Sequence, residues 1–115
     1  MINKGKKPDL LIDLHNDSNG KLLVSHPKGN IESYLSNMEK LESLLLKHTW
    51  FTEGSSHSFS YGSIGSGLVE RYGIDACTYE LNQLWIEGLK KVPFGEDWVL
   101  LGKQLRDVFY YYFYF

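Results

Sequence analysis

The chain has one cysteine, Cys77, among 115 residues. It cannot form an internal disulfide, so the disulfide-stapled small-domain class does not apply. Cys77 stands between Ala76 and Thr78 in an apolar stretch, which reads as a buried structural thiol rather than a nucleophile. Positive charge is not in excess: 12 Lys and Arg against 14 Asp and Glu give a net charge of -2. No basic patch of the kind nucleic-acid binders carry stands out, and Lys4, Lys6 and Lys7 read as a solvated tail, so no nucleic-acid partner is expected. No apolar run is long enough to span a bilayer. The opening Met1 to Lys7 has no apolar stretch behind its charges and is not a signal peptide as it stands. The compartment is left open, cytoplasmic if the chain is complete. There is no internal repeat. Gly62-Ser63-Ile64-Gly65-Ser66-Gly67 lacks the lysine of a phosphate-binding loop, and Gly65-Ser66-Gly67 is a flexible turn rather than a nucleophile elbow.

The apolar fraction is 43%, enough to bury a core, and the length suits one domain or a piece of a larger one. Asp9 to His15 is a short apolar run closed by a polar cluster, Asn16 to Gly20, and reads as a strand buried on both faces. Lys21 to Ser25 can extend briefly before His26-Pro27. Ile31, Tyr34, Leu35, Met38, Leu41, Leu44 and Leu45 recur at helical spacing, with Asn30 as N-cap. Thr49 to Thr52 reads as a short strand. Gly54 to Gly67, rich in Gly and Ser but broken by His57, Phe59, Tyr61 and Ile64, reads as a loop that brings its backbone close to a ligand. Ser63 or Ser66 can open a helix to Tyr72, stopped by Gly73. Asp75 to Leu81 is a further buried strand, and from Gly95 the spacing of Trp98, Leu101, Leu105, Val108 and Phe109 is helical again. Strands alternating with helices predict an α/β fold with a mixed, mostly parallel sheet flanked by helices. In such sheets ligands bind outside the carboxyl ends of the strands, where His15 and Glu80 fall.

Asp13 lies two residues before His15, so both side chains leave one face of the strand, and a carboxylate so placed can fix the orientation of an imidazole. The ordinary alternative is a strand-end histidine with routine hydrogen bonds. Glu80 sits within Cys77-Thr78-Tyr79-Glu80-Leu81-Asn82. A carboxylate buried there needs a partner, and burial raises its affinity for a proton, which suits a general base. The alternative is an ion pair, for instance with Arg71. Glu53 and His57 stand four apart, a spacing with meaning only on a helix. His26 and His48 read as surface or packing residues.

Ile12-Asp13-Leu14-His15-Asn16-Asp17, followed about 65 residues later by Cys77-Thr78-Tyr79-Glu80-Leu81-Asn82, resembles the second half of the zinc carboxypeptidase family. Gly65 to Gly73 resembles the segment ahead of the catalytic strand in bacterial members. The resemblance implies a three-layer, phosphorylase/hydrolase-like architecture, with His15 as one zinc ligand, Glu80 as general base and Tyr61, in competition with Tyr72 and Tyr79, as a candidate for the mobile substrate-capping tyrosine. It implies metal-assisted hydrolysis of a peptide or small amide substrate. The family's other two ligands come from an upstream His-x-x-Glu motif. None occurs here: His15, His26, His48 and His57 are followed three positions on by Ser18, Gly29, Phe51 and Ser60. The expectation is therefore that residues 1–115 are the C-terminal portion of one catalytic domain, with the upstream part missing. Asp13-Leu14-His15-Asn16 also resembles the third-ligand segment of the aspartoacylase and succinylglutamate desuccinylase type of amidohydrolase. A third expectation is an inert fragment or binding module. Phe109 to Phe115 is aromatic on every face of a helix, which predicts an exposed patch and self-association.

Overall fold

The computed structural model describes residues 8–17, 19–25, 32–58 and 64–115. The described elements run β1 (Leu10–Asp17), β2 (Leu22–Ser25), α1 (Glu32–His48), β3 (Ser55–Ser58), α2 (Ile64–Tyr72), β4 (Asp75–Asn82) and α3 (Gly95–Tyr114). The four strands form one mixed sheet in the order β1-β4-β2-β3. β1 pairs with β4 in parallel, and so does β2 with β3, while β2 meets β4 antiparallel. The fold is α/β, as the alternation of apolar patterns predicts. The carboxyl ends of β1 and β4 share one edge of the sheet, and those of β2 and β3 point the other way.

α1 forms because Tyr34, Met38, Leu41 and Leu45 repeat at helical spacing and are all buried, each side chain contributing about 1.5–3 kcal/mol. Glu32 in its first turn and Lys47 and His48 in its last match the helix dipole. In β4, residues 75, 77, 79 and 81 face α1 and α3. Cys77 and Tyr79 join Leu22, Val24, Met38, Leu41, Leu101 and Val108 in the core. Asp75 at the foot of the strand accepts hydrogen bonds from Asn37 Nδ2 (2.8 Å) and Tyr112 Oη (3.0 Å), tying α1 and α3 to the sheet. Tyr34 Oη donates to the Ala76 carbonyl (2.8 Å) and accepts from the Ser25 amide (3.0 Å), bridging β4 and β2. Burial holds Cys77 as a thiol, its pKa pushed up to about 12, in keeping with a structural role.

β1, expected to be buried on both faces, is half-buried over residues 10–12 and exposed over 13–16, because it ends the strand order and pairs on one side. Two further expected segments differ. Thr49 to Thr52 is not a strand. The Thr49 hydroxyl donates to the Leu45 carbonyl (2.7 Å) and accepts from the Phe51 amide (3.0 Å), so it ends α1 and turns the chain. That turn drives Phe51 into the core, edge-on to Tyr79 with ring centroids 5.3 Å apart. Within the expected Gly/Ser loop, Ser55 to Ser58 is instead strand β3. It is held by its register with β2, beginning where the Leu22 amide donates to the Gly54 carbonyl (3.0 Å). The expected stop at Gly73 is present: Gly73 has φ 64°, its amide donates to Val69 and that of Ile74 to Leu68, closing α2. Asn30, Ile31 and Ser63 lie outside the described residues. α3 opens at Phe94, whose amide donates to the Asp97 carboxylate (2.8 Å); this bond, with Lys91 beside it, holds the Asp97 pKa below the usual carboxylate value.

Candidate active site at the carboxyl ends of β1 and β4

Parallel pairing sets Asp13 beside Thr78, His15 beside Glu80 and Asp17 beside Asn82. Residues paired this way leave the same face of the sheet. Because 75, 77, 79 and 81 face the helices, Thr78, Glu80 and Asn82 face the other way, and Asp13 and His15 share that second face. His15 Nε2 and Asp13 Oδ2 are 2.9 Å apart, with the two side chains 60% and 50% exposed. The i,i+2 spacing anticipates this pair. Glu80 is only 8% exposed. The contrast follows from strand order: β1 is the end strand of the sheet and β4 an inner one. β1 itself runs two residues past His15, to Asp17.

The chain then crosses the end of β4 through Asn19 to Lys21. The Glu80 amide donates to the Lys21 carbonyl (2.9 Å), so Glu80's backbone is fixed from both sides. Gly20 makes this crossing possible. Its φ is 70°, and a Cβ there would stand 3.1 Å from Glu53 Cδ and 3.2 Å from Asn82 Cβ. Glu53 is thereby placed at the rim of the site, though not through the helical Glu53–His57 pairing its spacing offered, since no helix runs through these residues. The only hint in the sequence is the turn-forming Asn19-Gly20. Glu53, Glu80, Trp50, Trp85 and Trp98 line a shallow cleft, with the Trp50 and Trp98 rings tilted against each other at 5.7 Å. It leaves about 10 Å³ for the centre of a water molecule, room for one water and not for a peptide. A more open groove of about 390 Å³, lined by Asp9, Asn37, Asp75, Tyr112 and Phe113, lies at the opposite end of β4 and has no part in this constellation.

Tyr61 lies outside the described residues. Among the described residues no group of three or more His, Cys, Asp or Glu is placed to hold a metal. His15 suits a single ligand: Asp13 occupies Nε2 and leaves Nδ1 for a metal. Arg71 is exposed on α2. His48 stacks on Tyr111 at 4.9 Å, a packing role as expected. Among the described residues no helix is long and apolar enough to cross a membrane. Comparison of the chain with family models, curated proteins and solved structures found no match.

Proposed function

We propose that this chain contributes to zinc-dependent hydrolysis of a C-terminal peptide bond, in a carboxypeptidase-like arrangement, with His15 as one metal ligand and Glu80 as general base. The observation that carries this reading is the register His15–Glu80 on adjacent parallel strands, at their carboxyl ends and on one face. These two residues, 65 positions apart in sequence, are the ones the family resemblance singles out. When bound, zinc supplies a Lewis acid for the scissile carbonyl and lowers the pKa of its water. His15 would hold the metal through Nδ1, with Asp13 fixing the ring through Nε2. Glu80 accepts the water proton on a carboxylate oxygen and returns it to the leaving amine nitrogen. Trp50, Trp85 and Trp98 line the cleft at the end of its strand. Further donors, and Tyr61 as the capping tyrosine, belong outside the described residues.

A second reading, an interaction module without activity, is favoured by the exposed rings of Tyr110, Tyr111, Phe113, Tyr114 and Phe115. An assay with zinc, a peptide bearing a free C-terminus and an N-acyl amino acid separates the readings. The expected result is release of the C-terminal residue, reduced about 10²-fold or more in Glu80→Gln. Faster cleavage of the N-acyl amino acid would move the reading to the aspartoacylase type. Cleavage of neither would leave the interaction module.

A further inference from the structure

One chain places two metal donors together at Asp13 and His15, and among the described strands β1 is the end strand of the sheet. Leu14 between them is 54% exposed, pointing to the α1/α3 side but beyond its cover. An eight-residue end strand with an exposed leucine is a template for pairing with another strand.

We infer that zinc joins two copies of this chain edge to edge through antiparallel β1 strands, bound by Asp13 and His15 of each copy. The inference rests only on the reading of His15 as a metal ligand: here the metal lies on Nε2 and Asp13 is itself a ligand, a closed structural site distinct from the open catalytic one. Of the registers that keep the helix-bearing faces of both sheets on one side, four pair five residues or more, since a one-residue slip would invert one of the sheets. Centring the dyad on Ile12 or His15 pairs only residues 10–14 or 13–17. Centring it on Asp13 sets two carboxylates opposite each other, which is repulsive. Centring it on Leu14 pairs residues 11–17, sets each Asp13 opposite the other copy's His15, and lays the two exposed Leu14 side chains together on the opposite face. Cross-strand neighbours have Cβ atoms about 4.5–5.5 Å apart, so all four polar side chains converge on one spot.

The ligand set, two imidazoles and two carboxylates, is one that zinc accepts in a tetrahedron. Ligands about 2.0–2.2 Å from such a zinc stand roughly 3.4 Å from one another. The His15–Asp13 separation of 2.9 Å is already close to that. In this state the metal sits between His15 Nε2 and the Asp13 carboxylate, in place of their hydrogen bond. Without metal, the exposed Asp13 and His15 stay solvated and hydrogen-bonded to each other, which leaves the end strand without a drive to pair. Zinc therefore acts as the switch for association.

The test is analytical ultracentrifugation of the full chain, with zinc chloride alone added and then removed by EDTA, combined with metal analysis. The inference predicts a shift from 13.3 kDa to twice that mass, one zinc per two chains and reversal by EDTA. His15→Ala should weaken the zinc-dependent dimer at least tenfold. Leu14→Lys should also weaken it while leaving residual zinc binding to the monomer. Association that ignores both zinc and EDTA would reflect the aromatic end of α3 and count against the inference. One zinc per chain at unchanged mass, lost in His15→Ala, would overturn the inference and leave the His15 ligand reading standing. A zinc-dependent dimer indifferent to His15→Ala, or no zinc binding at all, would overturn both.

Discussion

The two faces of the sheet are built on opposite principles. Toward α1 and α3, β4 presents Asp75, Cys77, Tyr79 and Leu81, and the middle of that set is sealed under Met38, Leu41, Leu101 and Val108. On the other face, the same two strands carry Asp13, His15, Thr78, Glu80 and Asn82, with Asp13 and His15 open at the sheet edge. One alternation of side chains produces both. Ile12, Cys77, Tyr79 and Leu81, which pack toward the helices, are each followed by a polar residue that the backbone must send to the other side. The chemistry-bearing pair is therefore held in place by a core it does not touch.

The largest effects belong to the core face. Leu41 is fully buried, and Leu41→Ala is expected to cost about 2–5 kcal/mol in urea unfolding. Leu14→Ala, at the exposed edge, is expected to stay within about 0.5 kcal/mol. Equal losses at the two leucines would break the division between faces. Next comes the bridge at Tyr34. Tyr34→Phe leaves the Ser25 amide without its bond and the Ala76 carbonyl without a donor, a loss of about 1–3 kcal/mol by the same measurement.

A pH effect follows from the same burial. Desolvation raises the pKa of Cys77 from 9.0 to about 12 and that of Tyr34 from 10.0 to about 12. Both groups bind protons more tightly in the folded chain, so their contribution is complete below about pH 9 and is lost as pH rises toward 12. Unfolding followed from pH 8 upward should show stability falling, with a shallower fall in Cys77→Ala. A fall of unchanged steepness would mean that the thiol is not sequestered. The smallest expected effect on folding is at the end of α3, where Tyr114 and Phe115 are each 75% exposed. Replacing both with Ser should leave the unfolding midpoint nearly unchanged while reducing zinc-independent association in light scattering at micromolar concentration. A clean monomer before substitution would contradict the assignment of that surface as sticky.

What could be read from the sequence follows the same division. α1, α3 and β4 were legible because their apolar residues repeat at the period of the structure they form. The Asp13–His15 contact was legible because alternate strand residues share a face. β3 was not: Ser55-Ser56-His57-Ser58 has neither β-branched residues nor alternation, and its strand geometry comes from pairing with β2. Thr49 to Thr52 misled because Trp50 and Phe51 look strand-like, whereas the Thr49 hydroxyl spends its bonds on ending α1. Glu53 at the site rim was hidden because it depends on Gly20 wrapping the end of β4, a contact between distant parts of the chain.

The most direct test of the central claim is a ¹⁵N histidine-ring NMR titration of the full chain with zinc. The account predicts that the ring nitrogens of His15 move to metal-bound shifts, while His48, stacked on Tyr111, stays in place. Glu80→Gln should leave that response intact and His15→Ala should remove it. Ring signals of His15 that do not move at saturating zinc would contradict its role as a ligand, and with it the hydrolase built on the His15–Glu80 register.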